Sequence, residues 1–270
     1  MIAVGWRARA ALERAKGQTR ILATLSESIY LTAADEILWL GRTGSTLHGR
    51  AVLTPVLPEP GACLALDVTG ALAWRPPATD ITRGALPAVI ARGRVLAEAL
   101  TAQAPSDGFG ALLSGAAPAF PLAGAVGAAR ALAQACIADD PSEAARAADM
   151  LIGLGPGLTP AGDDYVGGAF FARALLGAAG TRNASDWTVA AAHVRARAAE
   201  RTHPISAALL SDLLAGEGHA PLHDLGAALI GDAPLATAVA AARRLTALGH
   251  SSGWDILAGF VGALVGPRGV

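Results

Sequence analysis

The sequence predicts an α+β protein, with a small N-terminal antiparallel β region followed by a larger α-helical domain. Over residues 19–74, short apolar segments of alternating pattern are separated by glycine and proline turn signals, which is typical of strands. After Pro76 and Pro77 the chain becomes rich in alanine, with leucines at helical spacing. We therefore expect an N-terminal β-rich domain over residues 1–80 and a C-terminal helical domain over residues 81–270.

The β region is expected to begin with one helix, which Gly17 ends. Strands follow where apolar and polar residues alternate, and the turn signal Thr69-Gly70 separates the last two. In chain order, the expected elements are a helix over residues 5–16, one or two strands over 20–31, a hairpin-rich segment over 36–40 and 47–53, and strands over 62–68 and 71–74.

The second domain is expected to consist of helices joined by short loops. Two segments, residues 104–110 and 116–122, are rich in proline and glycine and are expected to be exposed loops. Helices are expected over residues 90–102, 123–138, 141–150, 164–178, 186–200, 204–215, 221–230, 234–248 and 255–265.

The composition excludes several classes of function. The formal net charge is −1 and the aromatic content is 4%, so neither a broad electrostatic attraction nor a stacking platform for nucleic acid is expected. Apolar runs are too short to span a bilayer, and charges come too early in the chain for a signal peptide. Cys63 and Cys136 have no metal-ligand spacing. We expect a cytoplasmic protein without nucleic-acid or membrane partners.

The most informative segment is the first motif, residues 151–168, which reads LIGLGPGLTPAGDDYVGG. Its glycines at 153, 155 and 157 permit positive φ angles and close approach of a ligand to the backbone. Thr159 is a good N-cap and Pro160 suits the first position of a helix. We call residues 153–157 the glycine loop. A helix beginning after it would direct unpaired N–H groups at a ligand bound over this loop.

Two adjacent carboxylates, Asp163 and Asp164, then fall in the first turns of that helix. Helix N–H donors suit an anion and paired carboxylates suit a divalent cation, so the first motif fits a metal-assisted phosphate or carboxylate site. The alternative is structural, because the helix dipole alone favours acidic residues in a first turn. The motif lacks the Lys-Ser/Thr ending of a Walker loop and is not a dinucleotide fingerprint.

A similar pattern recurs in the second motif, residues 249–259, which reads GHSSGWDILAG. Both motifs contain Gly-x-Asp followed by two apolar residues, a small residue and glycine. The equivalent pairs are Gly162 and Gly253, Asp164 and Asp255, and Gly168 and Gly259. We expect the two helix N-termini to face each other across one pocket, although similar helix starts also arise without a shared site.

This hypothesis defines a set of candidate residues. The expected catalytic residues are Asp163, Asp164, Asp255 and His250, and the three aspartates are also candidate ligands for Mg²⁺, since no other cofactor is indicated. The expected substrate- or anion-binding residues are Gly155, Gly157, Thr159, Gly162, Arg201, Thr202, Ser206, Ser251, Ser252 and Gly253.

Two of these residues have competing interpretations. Arg201 can supply a planar donor to a carboxylate or phosphate, or it can be an exposed charge at a helix C-terminus. His250 can transfer protons, or it can cap the preceding helix. The sequence contains no Gly-x-Ser-x-Gly elbow, Cys–His nucleophile pair or zinc motif, so electrostatic stabilisation of an anionic substrate by helix N–H groups fits better than covalent catalysis.

These motifs resemble those of the AllH-like family. The first motif is similar to the family signature, the second motif is similar to its C-terminal motif, and Thr202 with Ser206 is similar to its central Thr/Ser segment. Residues 24–35 and 37–40 are also similar to the N-terminal strands of the family. One departure is Ala161, where the family pattern has Ser, which removes one hydroxyl ligand.

The resemblance implies a subunit of an oxamate carbamoyltransferase of bacterial purine and ureide (allantoin) catabolism. Such an enzyme interconverts oxalurate with carbamoyl phosphate and oxamate, working with FdrA-like and AllG-like subunits. We accordingly expect a carbamoyltransferase subunit that binds a small anionic substrate. The alternatives are a non-catalytic ligand-binding or scaffolding subunit, and, less favoured, an independent Mg²⁺-dependent phosphotransferase.

Overall fold

The computed structural model describes residues 1–59, 64–79, 81–182 and 184–267. Within them the α+β fold class is confirmed. Contacts divide the chain into two compact units. The first unit is Met1–Pro77 with Glu217–Ala220, and the second is Ala78–Gly216 with Pro221–Val270.

The first unit contains a six-stranded sheet and one helix. Its elements are β1 (Ala3–Gly5), α1 (Trp6–Arg14), β2 (Arg20–Thr24), β3 (Ser28–Ala33), β4 (Glu36–Arg42), β5 (Ala51–Thr54) and β6 (Leu72–Trp74). The strand order is β2-β3-β4-β5-β1-β6. The predicted strand over residues 62–68 lies partly outside the described residues, and its remaining part forms only an isolated bridge between Gln18 and Ala65.

The sheet is mixed, which corrects the prediction of an antiparallel region. β4 pairs with β5 in parallel, with Trp39 opposite Ala51 and Arg42 opposite Thr54, and β1 pairs in parallel with β6. The hairpin predicted between residues 36–40 and 47–53 is therefore wrong. Its glycines did not mark a tight turn, because β4 continues through Arg42 and the chain runs back before β5 begins. Parallel neighbours require such a return connection.

The sheet and α1 enclose a core of their own. Fully buried aliphatic side chains come from the helix and from neighbouring strands: Val4, Leu12, Leu31, Leu38, Leu40 and Val52. The strand β1 was not predicted, because three residues at the start of a chain carry too short a pattern to recognise.

The second unit is helical, as predicted. Its α-helices are α2 (Leu86–Leu100), α3 (Val126–Ala138), α4 (Pro141–Asp149), α5 (Ala161–Leu176), α6 (Ala184–Arg201), α7 (Pro204–Leu214), α8 (Ala220–Ile230), α9 (Leu235–Thr246) and α10 (Ser252–Val265). A 3₁₀ helix over Phe109–Ser114 follows the proline-rich segment 104–110. This segment was expected to be exposed throughout, but Phe109 and Gly110 are buried.

The centre of this unit is the helix pair α5 and α10. Every residue of α5 except Ala174 is buried. A Cβ added to Gly168 would collide with the carbonyl oxygen of Ile256, and one added to Gly259 would collide with that of Tyr165. Tyr165 and Ile256 are themselves equivalent positions of the two motifs, so the contacts are reciprocal. The two helices are thus related by a local two-fold, and glycine lets their backbones meet along it.

The helices of the second unit are not membrane-spanning segments. None of the helices in the described part of the chain combines the length and apolar character needed to cross a bilayer.

Candidate functional site

The structure brings the two motifs together at the N-terminal ends of α5 and α10. The hydroxyl oxygens of Thr159 in the first motif and Ser252 in the second motif lie 3.0 Å apart. Both residues are half-buried, whereas Gly157 beside them is exposed. The equivalent residues Asp164 and Asp255 lie within the buried first turns of the two helices.

Thr159 does not cap α5, which corrects the expectation from the sequence. The helix begins at Ala161, and Pro160 is the N-cap without a side-chain hydrogen bond. The carbonyl oxygen of Pro160 accepts from the amides of Asp163 at 3.0 Å and Asp164 at 3.2 Å. The Thr159 hydroxyl is therefore available to Ser252 instead.

Two amides that were expected to bind an anion donate within the protein. The Gly162 N–H donates to the carbonyl of Leu154 at 2.8 Å, and the Gly253 N–H donates to that of Leu248 at 3.1 Å. A Cβ at either glycine would also collide with a backbone carbonyl oxygen. Close packing requires glycine at both positions, and neither N–H is left for a ligand.

The carboxylate of Asp163 accepts hydrogen bonds that connect three segments of the chain. Its Oδ1 accepts from the Gly153 amide at 2.7 Å, while its Oδ2 accepts from the Ser206 hydroxyl at 2.6 Å and from the Thr202 hydroxyl. The side chain is 1% exposed. Asp163 thus ties the glycine loop and the junction of α6 and α7 to the start of α5, and its three donors explain why Thr202 and Ser206 belong with the first motif.

Asp164 is buried with much less support. Ser252 is its hydrogen-bonding neighbour, and its Oδ2 atom has no hydrogen-bond partner among the described residues. Burial raises the pKa of this carboxyl group well above its usual value, the Ser252 hydroxyl opposes the shift, and the charges of Asp255 and Asp163 add to it. Asp164 therefore tends to hold a proton in the folded protein.

Asp255 is fully buried and is held by backbone amides that the sequence did not reveal. Its Oδ1 accepts from the Phe109 amide at 2.5 Å, and the Gly110 amide and the Ser251 hydroxyl are further donors to the carboxyl group. Burial raises the pKa of Asp255 to about 7, against these donors. Its Oδ2, like that of Asp164, finds no partner within the described chain.

Gly108 makes the approach to Asp255 possible. Its φ is +68°, and an added Cβ would collide with Oδ1 of Asp255. The closely spaced Gly108 and Gly110 were the available signal in the sequence, but proline and glycine in one segment were interpreted as an exposed loop. The sequence does not show that the amides of this loop donate to Asp255, and without that acceptor its burial could not be predicted.

The three aspartates do not fit a Mg²⁺ site. Both oxygens of Asp163 already have donors, and no group of three acidic, histidine or cysteine side chains within the described ranges is arranged to hold a metal. Magnesium needs several well-placed oxygen ligands around one point.

The remaining candidates lie at the periphery. Gly155 and Gly157 have φ angles of +118° and +93°, positive values that glycine adopts easily because it has no Cβ atom. His250 is exposed, and neither it nor Arg201 contacts the two carboxyl groups in the described part of the molecule. Arg201 is the last residue of α6, is exposed and donates to the carbonyl of Asp149, which matches its interpretation as a helix C-terminal charge.

Fold and site together define an α+β protein whose helical unit carries a paired motif around two buried carboxyl groups. Residues 151–264 match the model of the family described as oxamate carbamoyltransferase subunit AllH, which confirms the resemblance inferred from the motifs. The match covers both motifs and less than half of the chain, and the description of that family names a subunit of an oxamate carbamoyltransferase. No curated protein and no solved structure matched the chain.

Proposed function

We propose that this chain is a subunit of an oxamate carbamoyltransferase-related enzyme and that the meeting point of the two motifs binds a small anionic substrate such as oxamate or carbamoyl phosphate. The observation that carries this proposal is the family match, which spans both motifs. Two buried Oδ2 atoms without partners, one in each motif, support a site there, and we call them the orphan oxygens. A buried polar atom without a partner is costly unless something else satisfies it.

A chain of hydrogen bonds links Asp164 to the half-buried hydroxyl of Thr159. Ser252 has a single hydroxyl hydrogen, so when it donates to an ionised Asp164, Thr159 must be the donor across their 3.0 Å contact. When Asp164 holds a proton on its unpartnered Oδ2, these hydrogen bonds keep their direction and the site carries one negative charge fewer. A raised pKa at Asp164 therefore makes an acidic site compatible with an anionic substrate.

Asp255 has the properties of a general base for the proposed transfer. In the direction of oxalurate formation, the oxamate nitrogen forms a bond to the carbamoyl carbon while the bond from that carbon to the phosphate oxygen breaks, and phosphate leaves with the electron pair. The attacking nitrogen must lose one proton, and we assign that proton to the Asp255 carboxylate. A base with a pKa of about 7 is well matched to neutral pH.

A second candidate function is a non-catalytic subunit that supports its partners. The observation that favours it is the burial of the orphan oxygens, which solvent does not reach in this structure. A substrate contacts them only after the glycine loop has moved aside. The exposed Gly157 and the half-buried Thr159 make this loop the side from which access would come.

Reconstitution tests the proposal. The chain is purified with FdrA-like and AllG-like subunits, and phosphate release from carbamoyl phosphate is measured with and without oxamate. We expect Asp255→Asn to lower oxamate-dependent turnover by roughly 100-fold or more, because a positioned base contributes that much, and Asp164→Asn to lower it by a smaller factor. Asp232→Asn, at an exposed position, is the control with unchanged turnover.

The other outcomes distinguish the catalytic proposal from the supporting role. If both variants keep full turnover while omission of the chain abolishes it, the supporting role is correct and the catalytic proposal is not. If the assembled complex shows no oxamate-dependent phosphate release, the proposed reaction is wrong. Circular dichroism of each variant verifies that it has folded.

A further inference from the structure

We infer that the orphan oxygens of Asp164 and Asp255 together recognise a primary amide group, Asp164 facing its carbonyl oxygen and Asp255 accepting its N–H. This inference rests on the proposed function, because it concerns the same site and specifies which group of the substrate the site recognises. It assigns discrimination between an amide and a carboxylate to two named atoms.

The first support is that both orphan oxygens belong to otherwise anchored side chains. Asp164 is 7% exposed beside Ser252, and Asp255 is 0% exposed with Phe109 donating at 2.5 Å. In each carboxyl group one oxygen remains unused within the described residues. Leaving a buried donor or acceptor without a partner is destabilising, so a ligand that satisfies both atoms gains from groups already fixed in place.

The second support is the equivalence of the two positions. Asp164 and Asp255 occupy the same place in α5 and α10, which the reciprocal contacts of Gly168 and Gly259 relate by the local two-fold. Each helix thus contributes one carboxyl group near its N-terminal end. A planar ligand group with two adjacent hydrogen-bonding atoms matches such a pair better than a single point charge does.

The third support is charge. Asp164 faces the carboxylates of Asp163 and Asp255 together with the neutral Ser252, and the donors around Asp255 are the neutral Ser251 and two backbone amides. No cation is among these neighbours. A second carboxylate placed here would meet uncompensated negative charge, whereas an amide is neutral.

Protonation makes the pair complementary to an amide. Burial raises the pKa of Asp164 well above its usual value, and the charges of Asp255 and Asp163 add to that shift, so we place the proton of the pair on Asp164. The pair then offers one O–H donor and one carboxylate acceptor. A primary amide offers one carbonyl acceptor and N–H donors, so each partner satisfies the other.

Oxamate and oxalate provide the test, since oxalate replaces the amide of oxamate with a carboxylate of nearly the same shape. Their affinities are measured by isothermal titration calorimetry on the chain assembled with its partner subunits, near neutral pH. We expect the wild type to bind oxamate at least roughly tenfold more tightly than oxalate, because a site built for an N–H rejects an analogue without it.

Two variants separate the roles of the carboxyl groups. Asp255→Asn removes the negative acceptor, so the preference for oxamate should fall by roughly tenfold. Asp164→Asn keeps an N–H donor toward the amide carbonyl and should retain most of the preference. Asp232→Asn is the matched control, and its ratio of affinities should equal that of the wild type.

The results distinguish this inference from the proposed function. If oxamate and oxalate bind equally well, or if Asp255→Asn keeps the full preference, amide recognition by this pair is overturned while a carboxylate-binding site stands. If neither compound binds the wild-type assembly, both the site and the amide inference are wrong.

Discussion

At the scale of single residues, Asp163 and Asp164 show how differently two neighbouring carboxylates can be placed. Asp163 accepts hydrogen bonds from three parts of the chain, whereas Asp164 has an orphan oxygen and a strongly raised pKa. The sequence makes them look alike because both fall in the first turn of one helix. Their side chains leave α5 in different directions, since successive helical residues are about 100° apart. One therefore meets the α6–α7 junction and the other meets the second motif.

Replacing Asp163 should destabilise the protein. Asp163→Ala leaves the Gly153 amide and the hydroxyls of Thr202 and Ser206 without their acceptor, so the free energy of unfolding should fall by roughly 2–4 kcal/mol. Urea unfolding followed by circular dichroism measures this change. Asp232→Ala, at an exposed position, should remain near the wild type. Equal stability of the two variants would show that the Asp163 contacts contribute nothing.

The raised pKa of Asp255 predicts that stability decreases as pH rises. In the unfolded chain this carboxyl ionises near pH 4, but in the folded protein it ionises at about 7. Between these values the folded state binds more protons, so the free energy of unfolding falls by up to about 1.4 kcal/mol per pH unit for this group and levels off above about pH 7.

Urea titrations of the wild type and Asp255→Asn at several pH values between about 5 and 8 test this slope. The variant lacks the Asp255 contribution while keeping that of Asp164, so its stability should depend less steeply on pH. Parallel curves for the two proteins would mean that Asp255 ionises normally in the fold.

At the scale of elements, the pairing of α5 with α10 creates the site. Gly168 and Gly259 let each helix reach the backbone of the other, and Gly162 and Gly253 let the two helix starts approach the backbone of Leu151 and of Leu245 in α9. Both helices therefore begin at the same level, which places Thr159 beside Ser252. The repeated Gly-x-Asp pattern thus reflects the packing of two equivalent helices as well as the chemistry between them.

Alanine at Gly168 or Gly259 should separate the helices. A Cβ at either position would collide with a carbonyl oxygen of the facing helix, and overpacking of this kind costs about 1–3 kcal/mol of stability. The local two-fold predicts similar losses for both variants, which thermal unfolding can measure. Gly127→Ala in α3 is the control, because no atom lies within 4 Å of its added Cβ. A loss at only one of the two glycines would contradict the equivalence.

At the scale of the whole molecule, each unit has its own hydrophobic core. The sheet unit buries Leu31, Leu38 and Leu40, while the helical unit buries Phe171 and Phe260 among many alanines. The family match lies within residues 151–264, and both motifs belong to the helical unit. That residues 1–80 and 81–270 are two separate domains, each folding independently, remains a prediction.

Separate cores lead us to expect two calorimetric transitions. Leu40→Ala should lower the midpoint of one transition, and Leu257→Ala should lower that of the other, because each leucine is fully buried in a different core. A buried leucine truncated to alanine costs about 2–5 kcal/mol. A single transition that both substitutions shift by the same amount would show that the units unfold together.

The sequence by itself determined the helical elements, the α+β class and the two motifs, because apolar periodicity and glycine–aspartate spacing are local properties of the chain. It could not determine the parallel pairing of β4 with β5, the occupied amides of Gly162 and Gly253, or the burial of Phe109 beside Asp255. Those features depend on which distant segments meet. Only the tertiary structure decided that Asp163 is fastened while Asp164 and Asp255 keep one unused oxygen each, since hydrogen-bond partners far apart in the chain are set by packing and not by spacing.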